Sequence, residues 1–179
     1  MVPDAKPASA IAPHGASDDA WRLLELVVEW IKHAEAKAAA TLGAAGVLGG
    51  LLYTLAYQMA VPDATFAVPA MICAGAVVTS AAAAVVALRP RLRAGGPASG
   101  LLYYQSIAQN FPDGPVDYAR EFLKLVGSQP ATVDAIAHQI WANSVVATQK
   151  YRALNLAVIA LVVGLVTLAV SAVIALFAR

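Results

Sequence analysis

Residues 154–177, LNLAVIALVVGLVTLAVSAVIALF, contain no ionisable side chain, and Asn155 near their start is their one strongly polar member. As a helix this stretch is long enough to cross a hydrocarbon core of about 30 Å. Two more runs share its character: residues 38–60, AAATLGAAGVLGGLLYTLAYQMA, and residues 66–88, FAVPAMICAGAVVTSAAAAVVAL, neither of which holds a charge. The link between them, VPDAT, carries the turn-forming Pro62 and Asp63, so the first two runs read as a tight helical hairpin. The fold class that follows is all-α and integral to a membrane, with three transmembrane helices and a small cytoplasmic helical region. Composition agrees: 60% of the 179 residues are hydrophobic and 13% charged, where a soluble domain carries about 25% charged residues. Mean hydropathy is +0.67. With the spans set aside, too little polar chain is left for a large catalytic domain.

The chain places its cations unevenly. Lys6, Arg22, Lys32 and Lys37 precede the first span, and Arg89, Arg91, Arg93, Arg120, Lys124, Lys150 and Arg152 lie between the second and third. Only Arg179 falls elsewhere. The positive-inside rule therefore puts the N-terminus and residues 89–153 in the cytoplasm and the C-terminus outside. The first apolar run is too long for a signal-peptide core and is expected to act as its own insertion signal.

Outside the spans, residues 1–16 are rich in Pro, Ala and Gly without periodicity and read as a disordered tail that includes His14. Ser17, followed by Asp18 and Asp19, has the chemistry of a helix N-cap with acids in the first turn. Trp21, Leu24, Val27, Val28, Ile31 and Ala34 then recur at helical spacing, giving a cytoplasmic amphipathic helix over 18–37. No breaker separates it from the first span, so one rod is expected over 18–60, with Trp30 and Lys37 near the inner interface. In the 89–153 insert, AGGPASG reads as a flexible linker and LLYYQSIAQNFP fits either a short helix or a strand. VDYAREFLKLVG reads as an amphipathic helix stopped by Gly127. From Pro130 and Thr132 a further helix, with Val133, Ile136, Ile140, Trp141 and Val145 as its apolar stripe, runs into the third span. Trp21 and Trp141 are expected to anchor facing stripes.

The chemistry open to such a chain is narrow. His33 and His138 are solitary, Cys73 is the one cysteine and sits in an apolar run, and no metal-ligand spacing or nucleophile motif occurs. Gly95 to Gly100 copies the glycine spacing of a phosphate loop, but Leu101 and Leu102 stand where Lys and Ser or Thr are needed. No catalytic or metal residue is assigned, and a non-enzymatic role is expected. A net charge of +1 gives no bulk attraction for nucleic acid. Gly46 and Gly50 have the small-xxx-small spacing that lets helices approach closely, either within one chain or along a homo-oligomer seam. Arg89, Arg91 and Arg93 leave the second span while Lys150 and Arg152 lead into the third. These cations serve either as anchors on anionic lipid or as a ligand-phosphate cluster, with Tyr103 or Tyr104 offering a ring for stacking.

Several short segments carry a resemblance: Trp30-Ile31-Lys32-His33-Ala34-Glu35-Ala36-Lys37-Ala38 opening a span, Leu88-Arg89-Pro90-Arg91-Leu92 closing the next, Tyr103-Tyr104 with Ile107-Ala108, and Lys150-Tyr151-Arg152 before the last. Over about residues 20–177 the chain resembles the Pycsar membrane-effector (PycTM) family. Glu35 stands where the family usually has Asp and keeps the carboxylate. The resemblance implies a single effector domain over 17–179 in the bacterial inner membrane, acting in antiphage defence and abortive infection. It implies a partner pyrimidine nucleotide cyclase, response to cyclic CMP or cyclic UMP as ligand rather than to a cofactor, and impairment of the membrane on activation. Arg89, Arg91, Tyr104, Lys150 and Arg152 are the candidate ligand or gate residues. Substituting Arg91 and Lys150 together is expected to abolish ligand-dependent toxicity. The alternative is a constitutive membrane scaffold that anchors a cytoplasmic partner.

Overall fold

The structure, a computed structural model, describes residues 13–58, 63–90, 100–112 and 114–177. Five helices follow one another: α1 (Pro13–Tyr57), α2 (Ala64–Leu88), α3 (Tyr104–Asn110), α4 (Pro115–Val126) and α5 (Gln129–Phe177). No strand occurs among the described residues, and α1, α2 and α5 are each long and apolar enough to cross a membrane.

Two corrections concern the start of α1. The helix begins at Pro13, ahead of Ser17, so Ser17 lies inside it and does not cap it, and His14 belongs to its first turn. Proline suits that place, because it lacks the N–H that a first turn leaves unpaired and its φ is already helical. The tail expected over 1–16 otherwise lies outside the described residues.

The chain divides into two compact units. One comprises Glu29–Arg91 with Val145–Arg179. Its interior is built from small residues: Ala34, Ala38 and Ala87 meet Leu154 in one cluster, and Ala83, Ala84 and Ala157 form another. On α1 the inward positions Ala34, Ala38, Thr41, Ala45 and Leu48 alternate three- and four-residue steps, the spacing of a left-handed coiled seam. α1 and α5 run parallel here, since Glu35 pairs with Lys150 and Leu48 lies beside Gly164. α2 runs against both.

The α2–α5 seam is more regular than either helix's hydropathy suggests. Phe66, Cys73, Ser80 and Ala87 are buried at seven-residue intervals on α2, and Lys150, Ala157, Gly164 and Ser171 do the same on α5. Cys73 Sγ donates to the Gly164 carbonyl at 3.3 Å, Ser80 Oγ to the Ala157 carbonyl at 2.8 Å, and Lys150 Nζ to the Ala87 carbonyl at 2.8 Å. Each step of seven down α2 meets a step of seven up α5. Ser80→Ala removes one of these bonds while the Ala157 carbonyl keeps its place in the helix, so a loss of about 0.6 kcal/mol is expected in a reversible unfolding assay in detergent.

At the start of α2, Asp63 accepts from the Ala64 N–H at 2.6 Å and from Thr65 Oγ1 at 3.1 Å, a true N-cap. The link residues Val61 and Pro62 lie outside the described set.

The second unit comprises Met1–Val28 with Leu92–Ser144. The stretch LLYYQSIAQNFP, open between helix and strand, is helical over α3 and stops at Phe111, whose place before Pro112 disfavours a helical backbone. Tyr118 of α4 donates to the Leu101 carbonyl at 3.2 Å, and its ring meets Phe111 edge-on at a centroid distance of 5.5 Å. Gly127 ends α4 with φ −68°, so it needs no left-handed freedom. A Cβ there would lie 3.1 Å from the Leu123 carbonyl, which makes the bare backbone useful. Thr132 Oγ1 donates to the Leu125 carbonyl at 2.8 Å and ties the start of α5 to the end of α4; that carbonyl also accepts from the Ser128 N–H at 3.1 Å. Gly114 before α4 does need glycine: its φ of +129° with ψ near 180° is a region closed to side chains. Gly114→Ala is expected to cost about 1–3 kcal/mol, read as a lower thermal midpoint.

Candidate functional site

Lys150 is the largest fully buried side chain among the described residues, with 2% of its surface exposed. A buried ammonium is costly unless each donor is met. Here all three are. Nζ donates to Glu35 Oε1 at 2.8 Å, to the Ala87 carbonyl at 2.8 Å and to the Arg89 carbonyl at 3.3 Å. Each partner has a local reason to be there. Glu35 is placed by the inward seam of α1, next to buried Ala34, and is itself about half exposed.

The two carbonyls belong to the end of α2, where the last turn has no N–H groups of its own to meet them and carries the negative end of the helix dipole. That end is written in Leu88-Arg89-Pro90. Arg89 precedes a proline and takes an extended ψ of 131°, so the helix stops and its carbonyls open toward Lys150. One residue further along α5, Tyr151 Oη donates to the Trp30 carbonyl on α1 at 3.3 Å. A single lysine thus joins three spans at one level, and the tyrosine beside it adds a second tie.

The candidate residues divide accordingly. Arg89 meets Lys150 through its carbonyl, and both Arg89 and Arg152 are exposed. Arg91, Arg93 and the side chain of Tyr104 lie outside the described residues. Trp141 is 67% exposed and anchors no core within its unit, a departure from the expected stripe; Ala135, Ile136, Gln139 and Ala142 face inward instead. Trp21 lies on the wall of a half-open cavity of about 530 Å³ with Asp18, Leu102, Phe122, Gln129 and Thr132. Among the described residues no Lys or Arg lines that cavity, so its chemistry differs from that of the cationic residues around Lys150. Sequence reasoning missed Glu35 as the partner of Lys150, and the two carbonyls carry no side-chain signature. The available signal was the stop at Leu88-Arg89-Pro90 together with a carboxylate one helical turn inside an apolar seam. Among the described residues no cluster of His, Cys, Asp and Glu is placed to hold a metal ion.

Three of the four motifs that carry the family resemblance meet at Lys150. The Pycsar effector protein domain matches residues 19–178. The chain belongs to the Pycsar effector family. It is similar to the Pycsar effector protein PtPycTM of Propioniciclava tarda, with 33% identity over 173 residues that span 93% of this chain and 86% of that protein. No solved structure matches the chain. As a Pycsar effector with three membrane-spanning helices, it is a membrane effector of antiphage defence, functionally linked to a cyclase. The Pycsar membrane effectors are not known as enzymes.

Proposed function

We propose that this protein is an inner-membrane effector that responds to a cyclic pyrimidine mononucleotide, cyclic CMP or cyclic UMP, made by a partner cyclase on infection, and that it then impairs membrane integrity. Family membership supports the nucleotide response. The observation that carries the mechanical part is the convergence of Glu35 and the end of α2 on the buried Lys150 ammonium, beside the tie from Tyr151 to Trp30. In this reading the junction is the gate, closed while Lys150 holds the three helices together. The exposed Arg89 and Arg152, with Arg91 and Tyr104, are the residues from which a ligand phosphate or a conformational signal reaches it. α1 and α5 are unbroken helices, so a shift begun near either N-terminus need not cross a hinge within the helix. The excess of Lys and Arg before the first span and between the second and third supports a cytoplasmic N-terminus and an external C-terminus. A homo-oligomer supplies the aperture, since the interior of one chain's three spans is filled by packed side chains such as Ala84, Ala87, Leu154 and Lys150.

The test is a membrane-potential dye in cells that express this protein with a separately induced pyrimidine cyclase. Depolarisation is expected only when both are present. A polarised membrane despite confirmed insertion and confirmed nucleotide removes the gated reading and leaves a constitutive scaffold.

A further inference from the structure

Lys150 fixes more than three helices, because it fixes the level of every charge near it. Lys32 and Lys37 flank Glu35 on α1 within about one turn, Arg89 ends α2, and Arg152 follows Lys150 on α5. All four are exposed, while Lys150, the one cation turned inward among the described residues, is already matched by Glu35 and two carbonyls. Trp30 and Tyr151, joined by a hydrogen bond, sit at the same level with their surfaces partly open. The far end of the bundle is different. There the exposed rings of Tyr53 and Tyr57 stack, and Asp63 is the one charged side chain among the described residues. From Lys37 to Tyr57, and along the whole of α2, the helices rise about 30–37 Å, one hydrocarbon thickness. The cationic level therefore falls where lipid phosphates lie, and its charges point outward around the perimeter.

We propose that Lys32, Lys37, Arg89 and Arg152 form a collar that binds the phosphates of anionic phospholipids directly around the Lys150 junction. Guanidinium and ammonium groups at headgroup depth beside an indole and a phenol suit a phosphodiester with an apolar tail. The inference goes beyond the nucleotide response and assigns Arg89 and Arg152 to lipid, so competition by cyclic CMP decides between the two at those residues.

The experiment uses the full chain carrying Trp21→Phe and Trp141→Phe, so that Trp30 is the sole indole, reconstituted in vesicles containing brominated phosphatidylglycerol or brominated phosphatidylcholine. Quenching of Trp30 is expected to report a preference for phosphatidylglycerol. That preference should fall by about fivefold for each collar cation removed, at roughly 1 kcal/mol each. Arg89→Gln with Arg152→Gln and, separately, Lys32→Gln with Lys37→Gln test it from different helices; Arg89→Gln keeps the carbonyl that Lys150 uses. Equal quenching by the two lipids, or a preference that survives both pairs of substitutions, overturns the proposal. Loss of the preference on adding inorganic phosphate or cyclic CMP at constant ionic strength also overturns it, by assigning the collar to a soluble phosphate.

Discussion

If the junction is the gate proposed above, Lys150→Met is expected to depolarise cells without any cyclase and so to remove the proposed dependence on a cyclic nucleotide. Methionine preserves the buried stem and removes all three donors. Glu35 is exposed enough for water to replace its partner, but the Ala87 and Arg89 carbonyls lose theirs inside the bundle. The expected loss is about 2 kcal/mol, set mainly by the carbonyls, and it falls where α1, α2 and α5 are held together. The reciprocal exchange, Glu35→Lys with Lys150→Glu, separates the two kinds of partner. An ion pair alone would be restored by the swap; a carboxylate cannot donate to backbone carbonyls, so the swapped protein is expected to behave like Lys150→Met. Recovery of nucleotide-dependent depolarisation in the swap would reduce the junction to a salt bridge. The dye assay, with insertion checked by membrane fractionation, reads both variants.

Gly164→Leu prevents accumulation of folded protein in the membrane. A Cβ at this position would touch Leu48 at 3.5 Å, Ala76 at 3.6 Å and Val77 at 3.6 Å, so all three spans converge on one missing side chain. Alanine fits at ordinary contact distance and Gly164→Ala is expected to be silent. Leucine has nowhere to go without parting the helices, at a cost of about 1–3 kcal/mol or more. Gly43, Gly46 and Gly50 provide the contrast, because a Cβ on any of them meets nothing within 4 Å. The corresponding leucine variants are expected to keep the thermal midpoint of the unmodified chain. Equal losses at Gly164 and at these three positions would mean either that α1 packs differently from the arrangement described or that Gly46 and Gly50 lie in a seam between copies. Of the two roles weighed for the Gly46 and Gly50 pair, the single chain leaves the intrachain one unused.

What could be read from the residues follows from where contrast exists in the sequence. The three spans were legible because charge disappears over residues 38–60, 66–88 and 154–177, and no soluble packing explains that. Within a span the contrast is gone. Phe66, Cys73, Ser80 and Ala87 do recur every seven residues, yet the intervening positions are as apolar as they are, so periodicity marks no face. The start of α1 was misjudged for the opposite reason: Ser17-Asp18-Asp19 is a strong local cap, but a helix already under way from Pro13 passes through it. Trp141 is expected inward from its place in the helical stripe, whereas α5 turns Ala135, Ile136, Gln139 and Ala142 to the interior there. Gln139 is 6% exposed, with Nε2 donating to Asn143 and Oε1 unpaired among the described atoms. At the site, Lys150 was legible as a cation beside a span. Its burial was not, because two of its three partners are backbone atoms exposed by a helix ending sixty residues away in sequence.

A seam that repeats every seven residues is an unmarked ruler. Slid by one repeat, about 10 Å along the axis, the small residues of α2 would again find small residues on α5, and a serine or thiol would again find a helix carbonyl. Nothing in the alanines tells the last span how far to travel. Lys150 does, because carbonyls without N–H partners occur only where α2 stops, and no other place along the seam offers three acceptors to an ammonium. The residue that closes the junction is therefore also the one that sets the register of α5 against α2.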